Sequence, residues 1–123
     1  MRSGNVSGRI GEQKAEEYLK RNGYRIIDRN YSCRFGEIDI IAENDGFIVF
    51  AEVKTRKTNS CVSGREYVTV SKQNKILITS RFWLQSHGSC SLQPRFDVIE
   101  VQYSEIDGCF MTESIEHISN AFC

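Results

Sequence analysis

Asp39, Glu52 and Lys54 are the residues whose types and spacing could do chemistry. They flank Asp45-Gly46, a dipeptide favoured in two-residue hairpin turns. If that dipeptide forms the turn, Asn44 faces Phe47, and counting back sets Asp39 against Glu52 and Glu37 against Lys54. Side chains alternate along a strand. Ile38, Ile40, Ala42, Val49, Ala51 and Val53 are therefore expected on one apolar face. The other face carries Ile41, Ile48 and Phe50 near the turn, and Glu37, Asp39, Glu52 and Lys54 at the open end.

Like charges set opposite one another destabilise a sheet, and their Cβ atoms lie only about 5 Å apart. A divalent cation resolves that conflict. Mg²⁺ takes oxygen ligands at about 2.1 Å, typically one or two carboxylates completed by water and phosphate. Lys54 on the same face is then placed to orient or deprotonate a water and to stabilise developing phosphoryl charge. The plain alternative is a solvated strand face with salt bridges such as Glu37 to Lys54. Charges gathered at one end of a sheet whose reverse face is apolar favour the site. Glu12, three residues before Ala15 and seven before Leu19, borders the apolar stripe of a predicted helix and is positioned to complete the metal shell. Glu16 and Glu17 point further out and are read as solvated. The candidate metal positions are Asp39, Glu52, Val53 and Glu12, and the candidate catalytic residues are Glu12, Asp39, Glu52 and Lys54.

The elements that must position these groups follow from periodicity and turn residues. A helix is expected over 8–22, with Ala15, Tyr18 and Leu19 inward, Gly11 allowing close approach to a neighbour, and Gly23 ending it. Strands are expected over 24–31, 37–44 and 47–55, and a loop over 56–68 containing Gly64. Ser71 is the expected N-cap of a helix running to about His87, with Gly88 as its stop. A further strand covers 95–103, another is open at 109–112, and 115–122 reads as a short helix or turn. A helix between two strands suits a parallel crossover. The expectation is an α/β fold, a mixed sheet flanked by helices in α-β-β-β-α-β order, forming a single domain over 1–123.

The five cysteines are scattered, with no C-x-x-C pair, and His87 and His117 are far apart, so reduced thiols are expected and zinc is not. No apolar run is long enough for a membrane span, and the first residues carry no apolar signal segment, so no membrane partner and a cytoplasmic location are expected. The formal net charge is zero, but it is partitioned. Residues 1–95 hold all 16 basic side chains and 10 of the 16 acids, a balance of +6, leaving −6 on 96–123. A neutral total can hide a basic face, or the acidic end can neutralise it in the fold.

Asp39 followed across a hairpin by Glu52-Val53-Lys54 resembles the PD-(D/E)-x-K nuclease signature, with Gly36-Glu37-Ile38-Asp39 as its first half. The wider set is more specific. It comprises Gly11-Glu12-x-x-Ala15-x-x-Tyr18-Leu19, Arg29-Asn30-Tyr31, Gly36 to Ala42, Phe50 to Arg56, Ser71-Lys72-Gln73, Arg95-Phe96-Asp97-Val98 and Asn120-Ala121-Phe122. In that order these resemble the YraN-like bacterial family over nearly the whole chain. That family is similar in fold to archaeal Holliday-junction resolvases and restriction endonucleases. The resemblance implies a restriction-endonuclease-like core. It matches Glu12, Asp39, Glu52 and Lys54 to the acidic helix residue, the two metal carboxylates and the catalytic lysine. Lys72 and Gln73 match the start of the second helix, where such nucleases present a polar group to phosphate. Ala51, where the family commonly carries Val, and Asn74-Lys75, where a second basic run is usual, depart from the pattern.

The resulting expectation is a Mg²⁺-dependent phosphodiesterase, with Mn²⁺ as substitute, acting on DNA more than RNA and on branched or distorted substrates. The alternative is a non-catalytic nucleic-acid-binding module working through a partner. Arg56, Lys57, Arg65, Lys72, Gln73 and Lys75 are the candidate phosphate contacts. A homodimer is expected only from the resemblance to resolvases. Arg95 and Asp97 are read as a structural ion pair, and Phe82 and Trp83 as core.

Overall fold

The computed structural model describes residues 6–58, 68–87 and 91–122. Helix α1 (Val6–Arg21) precedes the antiparallel strands β1 (Arg25–Cys33), β2 (Gly36–Asn44) and β3 (Phe47–Lys57). Helix α2 (Val70–Ser86) leads to β4 (Gln93–Ile106), which pairs with β3 in parallel, and β5 (Cys109–Ile118) pairs antiparallel with β4. Strand order in the sheet follows chain order. This is the expected mixed α/β sheet in α-β-β-β-α-β order with one more strand, consistent with a restriction-endonuclease-like core.

Local chemistry explains the framework. Asp45 and Gly46 both take left-handed backbone, φ 50 and 84, as a two-residue turn requires, and the register runs from Asn44↔Phe47 to Ile40↔Ala51. Where α1 crosses β3, a Cβ on Gly11 would lie 2.0 Å from Thr55 Oγ1, so only hydrogen fits there. Ile40, Ala42 and Ala51 pack with Ala15 and Leu19 of α1. Ile41, Ile48 and Phe50 pack with Ile76 and Trp83 of α2.

Ile38 departs from the expected face. It joins the α2 cluster with Ile41, whereas strict alternation would place it with Ile40. The β1–β2 pairs step from Arg29↔Ile40 to Tyr31↔Ile38, passing over Asn30 and Asp39, and Asn30 has a φ of 54. A left-handed residue inside a strand kinks it and re-aims the side chains beyond. Tyr31 accordingly lies on the α2 side with Ile38. Asp39 thus sits where the pleat of β2 changes sides.

Three boundaries also differ. Thr69, not Ser71, caps α2: its backbone is extended and its hydroxyl accepts from Lys72 N at 3.1 Å. Residues 56 and 57 continue β3 against Gln102 and Tyr103, so the expected loop begins later; its middle, with Gly64 and Arg65, and the expected stop at Gly88 lie outside the described residues. Residues 115–118 are strand, not helix. Asp107-Gly108, at φ 53 and 79, makes a second hairpin turn, and the strand left open at 109–112 is present as the start of β5. A register shift at Gln102/Tyr103 breaks the alternation that would have extended it to 118.

Candidate active site

The β2–β3 ladder ends at Ile40↔Ala51, and the next groups are held by a side chain. Val53 N donates to Asp39 Oδ2 at 2.8 Å, so a carboxylate substitutes for a strand carbonyl where the two strands part. Asp39 and Glu52 are each only 5% exposed. Glu52 Oε2 receives two ammonium groups, Lys72 Nζ from the first turn of α2 at 2.5 Å and Lys54 Nζ from its own strand at 3.8 Å.

Burial, and then the charge of Asp39, push the Glu52 carboxyl up to about 7, against the opposing pull of Lys72 and Lys54. Burial, reinforced by the Lys72 charge, holds Lys54 below the usual lysine range. Burial also acts against charged Lys72, but the hydrogen bond to Glu52 and the charges of Glu52 and Asp39 outweigh it and lift Lys72 above its ordinary value. An acid poised near neutrality beside a weakened ammonium is an arrangement suited to proton transfer.

Glu12 of α1 and Asp39 share a cavity of about 220 Å³ with Arg9, Glu16, Arg29 and Asn30. Glu16 is not the solvated residue expected. Arg29 grips it through two bonds of 2.8 and 2.7 Å, Lys20 lies 3.0 Å away, and the Arg29 bond above all holds its carboxyl below the usual range. Glu17 does face solvent, 3.7 Å from Lys14. A second cavity, about 350 Å³, opens on the α2 side and is lined by Gly36, Glu37, Thr69, Ser71, Lys72 and Lys75.

Among the described residues no three His, Cys, Asp or Glu side chains group closely enough to hold a metal ion unaided. The donor set is a pair of buried carboxylates, Asp39 and Glu52, with Glu12 lining the cavity Asp39 shares and Val53 joined to the pair by its N–H. Such a set fits a hard cation that takes one or two carboxylates and fills its shell with water and phosphate oxygens. The Lys72 ammonium on Glu52 shows that the pocket accommodates positive charge.

The expected phosphate contacts separate. Lys72 and Lys75 line the larger cavity, and Lys57 is exposed at the end of β3. Gln73 reaches back to Val68 O at 3.2 Å. Arg56 turns inward, Nε donating to Glu100 Oε2 at 2.8 Å, and Glu100 is 1% exposed. Arg65 lies outside the described residues. Glu100 was not anticipated, although its register partner Lys54 could have flagged it once the parallel pairing was known. Asp97 makes the expected ion pair with Arg95 and also takes bonds from His117 and Asn120 N. Those bonds together outweigh its burial and keep its carboxyl below the usual range. Two acids of the −6 segment are therefore consumed inside, against Arg56 and Arg95. Trp83 is core as expected; Phe82 is 39% exposed and is not. No helix among the described residues is long and apolar enough to cross a membrane.

Against known proteins, the model described as Uncharacterised protein family UPF0102 matches residues 11–101. A UPF0102 protein of Alkaliphilus oremlandii is 47% identical over 94% of this chain and 96% of its own length. One from Desulfosudis oleivorans is 44% identical over 94% and 88%, and one from Persephonella marina 40% over 95% and 93%. The match spans both carboxylates, the lysine pair and the strands that carry them, and the chain belongs to the UPF0102 family.

Proposed function

We propose that this chain is a divalent-metal-dependent phosphodiesterase acting on DNA, with its reaction centre at Asp39, Glu52 and Lys54. One observation carries the reading: two buried carboxylates lie at the parting of β2 and β3, close enough that the charge of Asp39 raises the Glu52 carboxyl. Buried charges persist only when paired or bound to a cation. Asp39 and Glu52 would hold the Mg²⁺ or Mn²⁺, with Glu12 assisting from α1. The ion, when bound, supplies Lewis acidity at a phosphoryl oxygen.

The chain's own groups do the rest. The bond from Val53 N fixes the orientation of the Asp39 carboxylate. Lys54, whose ammonium is weakened by burial, is suited to orient water and to exchange a proton at Nζ. With a cation held by Asp39 and Glu52, the Lys72 ammonium would be freed from Glu52 for a phosphate oxygen on the α2 side. Restriction-endonuclease-like architecture supports the same chemistry by analogy only.

The second reading is a nucleic-acid-binding module without cleavage. The Lys72–Glu52 contact favours it, since it satisfies Glu52 with no metal. Labelled linear, flapped, single-stranded and four-way-junction DNA incubated with Mg²⁺ or Mn²⁺ decides between them. Cleavage by wild type that is abolished in Glu52→Gln, with binding kept, supports the enzyme. Binding without cleavage supports the module, and cleavage that persists in Glu52→Gln contradicts the site.

A further inference from the structure

Helix α2 carries Lys72, Lys75 and Arg81 and no carboxylate, on a chain of zero formal net charge. Residues three and four apart share a helix face, so Ser71, Lys75, Ile78 and Phe82 form one stripe, and all four are exposed. The stripe begins in the larger cavity, lined by Ser71 and Lys75 together with Lys72. It ends at Phe82, which stacks on Phe35 of the β1–β2 turn with ring centres 5.2 Å apart and planes 25° from parallel. The Arg34 guanidinium lies 5.0 Å from the centre of the Phe35 ring.

The turn is clamped in place. A Cβ on Gly36 would lie 3.1 Å from Thr79 Oγ1 and 3.4 Å from Lys75 Cβ, so the turn packs closely on α2. Phe82 nevertheless keeps 39% of its surface open, and Ile78 38%. Trp83, next in sequence, shows that α2 can bury an aromatic ring, so the exposure of Phe82 follows from the face it occupies. From Lys72 to Phe82 the helix rises about 15 Å, a span of a few nucleotides.

We propose that the Phe35–Phe82 pair, with Arg34, is a stacking platform for an unpaired nucleobase of a strand whose phosphates run past Lys75 toward the cavity that Lys75 and Lys72 line. Aromatic rings beside a cationic groove are the physical basis of single-strand recognition, because every base offers a π-face while its phosphate needs a cation. A base inside a duplex is already stacked and cannot use the platform. The preferred substrate class is therefore DNA with unpaired nucleotides beside the scissile position. This inference rests on the proposed nucleic-acid function and deepens it.

The test is fluorescence anisotropy in chelator with a short single-stranded DNA oligonucleotide and the corresponding duplex. Phe82→Ala, with folding checked by its thermal melt, is expected to weaken single-strand binding by about 5- to 150-fold, the range for one lost base–aromatic stack. Duplex affinity and the salt slope should stay unchanged, and Phe82→Trp should restore single-strand binding. Equal losses on both DNAs, or no loss, overturn the platform while leaving cleavage at Glu52 standing. No single-strand binding by wild type overturns it as well. A change of oligomeric state in Phe82→Ala by light scattering also overturns it, and assigns the surface to a second copy of the chain. Single-strand preference lost in Phe82→Ala but kept in Glu52→Gln separates the platform from the reaction centre.

Discussion

Lys72 Nζ lies 2.5 Å from Glu52 Oε2, nearer than Lys54 Nζ at 3.8 Å, so a residue of α2 supplies the closer counter-charge to a carboxylate of β3. The contact joins the sheet to the start of the helix through a charge that a metal would have to displace. Thr69 fixes that geometry, since its hydroxyl caps α2 by accepting from Lys72 N.

Lys72→Met removes the ammonium that competes for Glu52. Mn²⁺ affinity measured by calorimetry should rise by about two- to fivefold, the scale of a partly exposed ion pair. In chelator the variant should melt lower than wild type at pH 8. Weaker Mn²⁺ binding would show that Lys72 assists the metal and does not stand in for it.

Glu52 also sets a pH dependence. Its carboxyl ionises near 4.5 in the unfolded chain and at about 7 in the fold, so between those values the native state binds more protons. Stability from this group is therefore complete below the unfolded value and is lost as pH rises through the folded one. Glu52→Gln lacks that loss. In chelator it should gain on wild type by about 1–3 kcal/mol between pH 4.5 and 7, read from denaturant melts. Parallel stability curves would contradict the raised value.

Gly11 is a steric requirement of the α1–β3 crossing. Gly11→Ala should cost about 1–3 kcal/mol, the usual range for overpacking. Thr55→Ala in that background should recover most of it, because the nearest obstacle is Thr55 Oγ1. The same cost in both backgrounds would place the strain elsewhere.

Much of this was legible in the sequence because the signals were local. Asp45-Gly46 set the hairpin and its register as far as Ile40↔Ala51, with the expected pairings of Asp39 with Glu52 and Glu37 with Lys54 beyond the paired stretch. Gly11 marked the tight crossing, and the polar end of an otherwise apolar hairpin pointed to Asp39 and Glu52. The reversal of faces at Asp39 was not legible. It depends on left-handed backbone at Asn30 in a neighbouring strand, and nothing in the β2 sequence reports that. Glu100 was hidden because its partner Arg56 is 44 residues away across a parallel pairing. The second half of β5 was read as helix or turn for a different reason. Asp107-Gly108 repeated the turn signal, but the bulge opposite Gln102 and Tyr103 put Phe110 and Ile115 on one face despite their odd spacing.

The most direct measurement of the central claim, that Asp39 and Glu52 share one cation, is a thermal melt of wild type and Asp39→Asn in chelator and across a Mg²⁺ titration. Asparagine can still accept the bond from Val53 N, so that link between the strands is kept. Asp39→Asn is expected to melt higher in chelator, by about 0.2–1 kcal/mol, the scale of a relieved like-charge repulsion between strands. Wild type should then gain more on adding metal, because only the intact pair binds it well. A variant no more stable than wild type in chelator, with an equal response to Mg²⁺, would contradict the shared cation.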